Sequence, residues 1–286
     1  MKTVLYTFIA FFIFGILQPA FTSKVPKQKG ILIQAMDSNA SSQLLVQSAK
    51  IISGRLTDFS SEKFEVTVIP EKNQIQVTSD QTQDLETVEK LLTHKGVLAF
   101  YEIYTRSALP DSLKNDNRLF SMLPSNSASQ TDAKIGCTTV DGIEKVNEYL
   151  KAANQSKNFQ FVWDQPFEGL DVCLYALKTN DGKGALIANS DIESVKSSED
   201  ETSHIQEITI ALKKSGTDVW ADATRRNLNH AIAIVLDDKV LAAPVVNAVI
   251  YGGKAMVTGS YTPTQARYIA AIGNNGELPL FFKVVK

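Results

Sequence analysis

The period of the apolar positions switches repeatedly between Gly30 and Tyr104, and this alternation restricts the fold more than any other feature of the chain. Gly30 to Ala35 is a short apolar run of strand length. Leu45, Ala49, Ile52 and Leu56 then recur at spacings of four, three and four, which lines them up along one side of an amphipathic helix. Phe64, Val66 and Val68 alternate with polar residues. Ile75 and Val77 do the same after Pro70, Glu71, Lys72 and Asn73, so the segment reads as a hairpin. Leu85, Val88 and Leu92 mark the inner face of a second helix that Gly96 is placed to stop, and Val97 to Ile103 closes as a strand.

The resulting order, βαββαβ, predicts the split βαβ unit of ferredoxin-like folds, in which two helices cover one face of an antiparallel sheet. That fold carries many unrelated functions, so it constrains architecture and not activity. Residues 106–134 lose all periodicity. Pro110, Pro124 and the serines 121, 125, 127 and 129 predict a flexible surface linker. A second set of elements follows. Thr138 and Asp141 form a capping pair ahead of a helix that buries Ile143, Val146 and Leu150. Phe159 to Trp163, Val172 to Leu177 and the Ile208, Ile210, Leu212 alternation are strands, and the acidic run Ser197 to Thr202 is an exposed loop. After a turn at Ser215 and Gly216, Val219 to Leu228 is a helix with Trp220, Thr224 and Leu228 on one side. Ala231 to Leu236 is apolar throughout, as in a strand buried on both faces, and Asp237 and Asp238 turn it back. Thr262, Pro263 and Gln265 make a well-formed helix start, and the helix ends between Gly273 and Gly276. The fold class is therefore α+β.

Charge excludes one large class of function. Lys and Arg number 29 against 31 Asp and Glu, a net charge of −2, so no basic excess exists to displace counterions from nucleic acid. The N-terminus is different in kind. No charge occurs between Lys2 and Lys24, and the interval is crowded with Phe, Ile and Leu. Residues 1–23 are read as a secretory signal peptide or, if uncleaved, a single anchor, since at about 1.5 Å per residue the uncharged helix would reach roughly 30 Å. If the segment stays uncleaved, membrane contact is expected through it alone. Export permits disulfides, so Cys137 and Cys173 either pair or remain two small buried thiols; a bridge would contribute about 3 to 4 kcal/mol.

Catalytic and ligand-binding patterns are missing from the sequence. His94, His204 and His230 stand singly, without a triad or HExxH setting. Asp237 and Asp238 are read as solvated turn formers and not as a metal or acid-base pair. Gly252 and Gly253 lack the spacing and the following Lys and Ser or Thr of a phosphate loop. The expectation is a non-enzyme without cofactor or metal.

One stretch carries a specific resemblance. Ala231 to Val240, Ala243 to Val246 with Pro244, Gly252 and Gly253, Val257 to Gly259, Tyr261 and Thr262, Ala266, and Gly276 to Pro279 together resemble the SecD family of preprotein translocase subunits. There the sequence reads approximately AIVLDGxVxSAPVI, GG, ITGxFT, EA and GALP. Asp237, Pro244, Gly252, Gly253, Gly259, Thr262, Gly276 and Pro279 are the signature positions, and most are explained as turn, edge or cap residues. Asp238 and Ala242 replace the family's Gly and Ser. Weaker likeness runs upstream through Leu186 to Ser194, Leu174 to Lys178 and an IIRRRVD-like helix opening at Ile51, covering residues 30–282.

The resemblance implies a base of residues 30–105, an inserted α+β head of 106–262 with a flexible linker at 106–134, and a helix and strand at 263–286 returning to the base. It implies location in the bacterial cell envelope, in the periplasm or on the outer face of the inner membrane. It also implies binding of unfolded or emerging polypeptide in protein export, with Sec translocon components as partners. SecD continues into further membrane helices that couple proton flow to movement, so the expectation here is passive binding without motor activity. The alternative is a scaffold docking on a translocon or another envelope protein.

Overall fold

A computed structural model of the chain describes residues 29–80, 84–124, 133–153, 158–164, 171–179 and 184–285. The expected N-terminal export segment lies outside them. β1 (Lys29–Ala35) leads into α1 (Ser42–Phe59), where the Ser41 side chain accepts from Leu44 N and so satisfies one of the helix's free donors. β2 (Phe64–Ile69) and β3 (Gln74–Ser79) form the hairpin, with Asn73 at φ 53° completing its turn. α2 (Leu85–Thr93) is capped by Asp84 and buries Val88, Leu91 and Leu92, while Leu85, expected on that face, is exposed in the first turn. β4 (Leu98–Tyr104) follows.

The first part of the expected linker is folded. α3 (Asp111–Lys114) and α4 (Asn117–Ser121) bring Leu109, Leu113, Leu119 and Leu123 into a core with Val146 and Phe159. Proline and serine content masked these four leucines. Residues 125–132 lie outside the described residues. Thr138 is the last residue of β5 (Gly136–Thr138) and not a helix cap; one 3-10 turn separates it from α5 (Ile143–Ala153). β6 (Phe159–Asp164), β7 (Val172–Lys178), β8 (Ile192–Glu199) and β9 (Gln206–Leu212) come next. The expected loop at Ser197 is instead ladder, since Ser197, Ser198 and Glu199 pair with Ile208, Glu207 and Gln206. α6 (Lys214–Arg226) starts earlier than its apolar pattern indicates. Gly216 is inside it because a Cβ there would come within 3.0 Å of Asp191 Cβ, so that glycine serves close packing and not a turn. Leu228 falls past the helix end and is exposed. β10 (Ile232–Leu236), β11 (Lys239–Ala242), β12 (Lys254–Gly259), α7 (Pro263–Asn275) and β13 (Phe282–Val285) complete the chain.

β4 departs from the expected pairing. The four-stranded antiparallel sheet runs β13-β1-β3-β2, so the position beside β1 belongs to the last strand. β4 instead pairs with β10 and, through Ile103 and Tyr104, with β7. Its apolar residues would serve either sheet. β4, β10, β11, β6 and β7 close into a ring, with β5 added outside on β7. The ring is narrow, and its interior is filled by Ala233, Val235, Val240, Val162, Tyr175, Leu177 and the two cysteines. Ile232, Ile234 and Leu236 face outward into a second core, which explains why β10 is apolar on both sides.

The outward faces of β10 and β4, the helices α1, α2 and α7, the inner face of the first sheet and a third sheet, β12-β9-β8, share one continuous core. α7 runs through its middle, packed on α1 on one side and on β8 and β9 on the other. Gly54 and Gly273 permit this close approach: a Cβ on Gly54 would overlap the Asn275 side chain, and one on Gly273 would press into Val195.

Candidate functional site

α1 contributes a fully buried charge. The Arg55 guanidinium forks onto four carbonyl oxygens: Leu91 at 3.0 Å and His94 at 2.8 Å from Nη1, and Lys95 at 3.0 Å and Gly276 at 2.6 Å from Nη2. The Leu91, His94 and Gly276 carbonyls sit at the ends of α2 and α7, where the helices leave acceptors unpaired, while the Lys95 carbonyl also accepts from Leu278 N at 2.8 Å. Burial lowers the Arg55 pKa from 12.5 to about 10, opposed by Tyr268 and Asp237. Gly96, at φ 83°, has no room for a Cβ against the guanidinium.

Asp237 locks the same junction from the other side. Asp237 and Asp238 have φ 48° and 61°, the all-positive geometry of a two-residue type I′ hairpin turn between Leu236 and Lys239. Asp238 is exposed, as expected, but Asp237 is not a solvated turn former. Its Oδ1 accepts from Gly96 N at 2.7 Å and Val97 N at 2.8 Å, and its own N–H donates to Val97 O at 3.0 Å. Oδ2 is buried without a hydrogen bond among the described residues and lies 3.8 Å from His94 Nδ1. Tyr268 Oη is 2.6 Å from that same nitrogen. Burial holds the His94 pKa below its usual value; Asp237 opposes this, and Lys90 and Arg55 add to it. Burial, with Asp237 adding, drives the Tyr268 phenol upward.

The remaining signature positions do not gather into one cluster. Gly276, at φ 72°, ends α7 and shares the Arg55 junction with Asp237. Thr262 caps α7 reciprocally with Gln265. The Pro244 carbonyl accepts from Ile232 N. Gly253, at φ 60° beneath Thr217, precedes β12, and Gly259, against the Tyr261 ring, ends it; Gly252 faces open space beside Gly253. Pro279 lies in the bend before β13. Cys137 and Cys173 face each other across β5 and β7, with Cα atoms 4.0 Å apart, and their sulfurs are bonded. Among the described residues no group of three His, Cys, Asp or Glu is placed to hold a metal ion, and no helix is long and apolar enough to cross a membrane.

β12 is where backbone remains to be satisfied. Gly253 O accepts from Leu212 N, which fixes the phase of the ladder with β9: Ala255 and Val257 face β9 with their hydrogen-bonding groups, while Lys254, Met256 and Thr258 turn theirs outward. Trp220 Nε1 reaches the Lys254 carbonyl at 3.4 Å. Beyond it, the outward N–H and C=O of Met256 and Thr258 meet no partner among the described residues. The Met256 side chain is 56% exposed. Past Thr258, a hollow of about 350 Å³ is lined by His204, Ile205, Gln206, Thr258, Ser260 and Tyr261. The edges at β8 and β2 are guarded. Asn274 Oδ1 takes Val195 N on β8, and β2 carries exposed Glu65 beside Lys63.

Sequence reasoning missed Arg55 and Met256. The IIRRRVD-like stretch opening at Ile51, in the second half of α1, contained the signal for Arg55; an open edge leaves none, because it is a property of which strands come to lie beside β12.

The match to known proteins falls on this region. Residues 176–280, from the end of β7 to Leu280, match the SecDF, P1 head subdomain family. Within that class the sequence is similar to protein translocase subunit SecD. SecD of Acidaminococcus fermentans is 36% identical over 101 residues, covering 35% of this chain and 24% of that protein. SecD of Leptotrichia buccalis is 30% identical over 114 residues, covering 39% and 28%. The matched part thus spans about a quarter of the length of these relatives. The fold likeness is wider. A crystal structure of SecDF in its super-membrane-facing form aligns with 91% of this chain and 30% of that one, with TM-score 0.57 at 19% identity. A second SecDF structure, described as a membrane component that enhances protein export, covers 90% and 98%, with TM-score 0.53 at 18% identity.

Proposed function

We propose that this chain is a non-enzymatic module of the bacterial cell envelope that holds unfolded or emerging polypeptide in connection with protein export, taking it as an added strand on β12. The observation that carries this reading is the outward pair Met256 and Thr258, whose backbone donors and acceptors lack partners beside a side-chain-sized hollow. An extended peptide would satisfy them by β-augmentation, and the hollow would receive one of its side chains. Similarity to SecD over residues 176–280 supports the link to export and to Sec translocon components. Binding is passive, driven by mass action. In this reading the β13-β1-β3-β2 sheet with α1 and α7 is a ferredoxin-like base built from residues 30–105 and 263–286, and 106–262 is the head, whose barrel borrows β4. The site faces the periplasm or the outer surface of the inner membrane, and residues 1–23 direct the chain there. The eight signature positions serve the framework, six in this head and Gly276 and Pro279 in the base.

The test is binding of the purified protein to an unfolded exported polypeptide, with its folded form as control. Micromolar or tighter preference for the unfolded form, about 8 kcal/mol, is expected, without dependence on ATP or membrane potential. Met256→Pro removes an outward N–H while sparing the ladder to β9 and should weaken binding at least tenfold; Met256→Lys, which leaves the backbone free but charges the edge, should weaken it less. Equal binding of folded and unfolded forms, or indifference to both variants, refutes the reading and favours a scaffold.

A further inference from the structure

The β12 edge is electrically polarised, and the polarity specifies its occupant. At the start of the strand stands Lys254, exposed and followed by Ala255 and Met256. At its far end the chain folds against the β8–β9 tip, because Gly259 pairs with Gln206 and Thr258 with Glu207. That tip carries Glu199, Asp200, Glu201 and Glu207, while Glu193 lies at the other end of β8 and Lys196 midway along it. Glu199 is held by His204 and Gln206, and Asp200 by the backbone of Thr202 and Ser203. Glu201 and Glu207 form no ion pair among the described residues. Glu207 is the immediate cross-strand neighbour of Thr258, so a chain added outside β12 would pass about 10 Å from it, within one Debye length at moderate salt. Met256 lies between the two charged ends, and the hollow lies beside the acidic one, where exposed Ile205 and half-buried Tyr261 offer apolar surface.

We propose that the segment held on β12 is a basic-apolar one, with Lys or Arg at the end lying against the Glu201 and Glu207 tip and a large apolar residue in the Ile205–Tyr261 hollow. The inference rests on the strand-addition reading above. Charge complementarity of this kind acts on register and partner choice more than on raw affinity. It predicts a preference among unfolded chains and not a uniform affinity for all of them.

The experiment uses the whole protein and two labelled ten-residue extended peptides with the same apolar residues, one ending in two lysines and the other in two glutamates. Anisotropy titrations at 50 mM salt should favour the basic peptide at least tenfold, and the ratio should collapse towards one at 0.5 M salt. Glu201→Lys with Glu207→Lys should reverse the order. Should that variant misfold, the salt dependence of the wild-type ratio carries the decision. If both peptides bind equally and both are lost in Met256→Pro, charge selection is wrong and the edge reading survives. If neither binds, or Met256→Pro leaves both unchanged, the edge reading falls and this inference with it.

Discussion

Replacing Arg55 by Met keeps the length and apolar stem of the side chain and removes only the fork. Four carbonyl oxygens, those of Leu91, His94, Lys95 and Gly276, would lose a charged donor, and among the described residues only that of Lys95 keeps another, the Leu278 N–H. At about 1.5 kcal/mol each, the lower bound for hydrogen bonds to charged groups, the loss is about 6 kcal/mol. Against it stands the penalty of burying the guanidinium, which the substitution relieves. The fall of its pKa to about 10 corresponds to a net penalty of about 3 kcal/mol, after the part that Tyr268 and Asp237 offset. The net destabilisation is then about 3 kcal/mol. In urea this is a midpoint shift of about 1 M for a slope near 3 kcal/mol/M. Hydrogen exchange should speed up first at residues 91–97, where the freed carbonyls lie. A shift below about 0.3 M, with exchange there unchanged, would refute the claim that the fork holds the junction.

Acidification should destabilise the fold through His94. Its folded pKa is lowered by burial, so the folded state binds the proton less readily than the unfolded chain does, and stability is full above about pH 6.5 and declines as pH falls through the folded value. The groups facing it are Asp237, Lys90, Arg55, Tyr268 and Lys239; melting temperatures at pH 7.5 and 5.5 should diverge less in His94→Gln than in the wild type. Removing the Cys137–Cys173 bond by a double alanine substitution should cost about 4 kcal/mol on the chain-entropy model, given the sequence separation of 36. A loss under 1 kcal/mol in urea unfolding would show that the ring holds β5 without it. Asp238→Gly should raise stability by about 0.5 to 1 kcal/mol, because Asp238 sits at φ 61° where glycine is unstrained. A lower melting temperature would mean that the Asp238 side chain contributes more than its backbone costs.

Elements whose reason is local were legible in the sequence. The Thr262–Gln265 cap, the α1 stripe and the all-apolar β10 each record their surroundings in a few neighbouring residues. What escaped depends on distant partners. β4 is a mostly apolar strand, and nothing within it selects β10 over β1. Leu109, Leu113, Leu119 and Leu123 are too irregularly spaced to show a period among so many serines and prolines, yet each finds a pocket. Arg55 sits in a helix where arginine is ordinarily solvated, and only the convergence of two helix ends explains its burial. Asp237 reads as turn chemistry, which is correct for its backbone and blind to the Gly96 and Val97 amides it binds. The edge at Met256 and Thr258 is legible only in part: alternation shows which side chains are exposed, and not that no strand lies beyond them.

The place of β13 beside β1 also fixes when the molecule can be finished. Leu32 pairs with Val285, so about 250 residues must be made before that ladder forms, and closing such a loop costs about 5 kcal/mol of chain entropy. A chain emerging from its N-terminus first therefore presents β1 with a bare flank, and α1 without the helix it packs on, throughout most of its synthesis or passage. Under the export reading proposed above this is an advantage, since the parts that travel first cannot lock before the last have arrived.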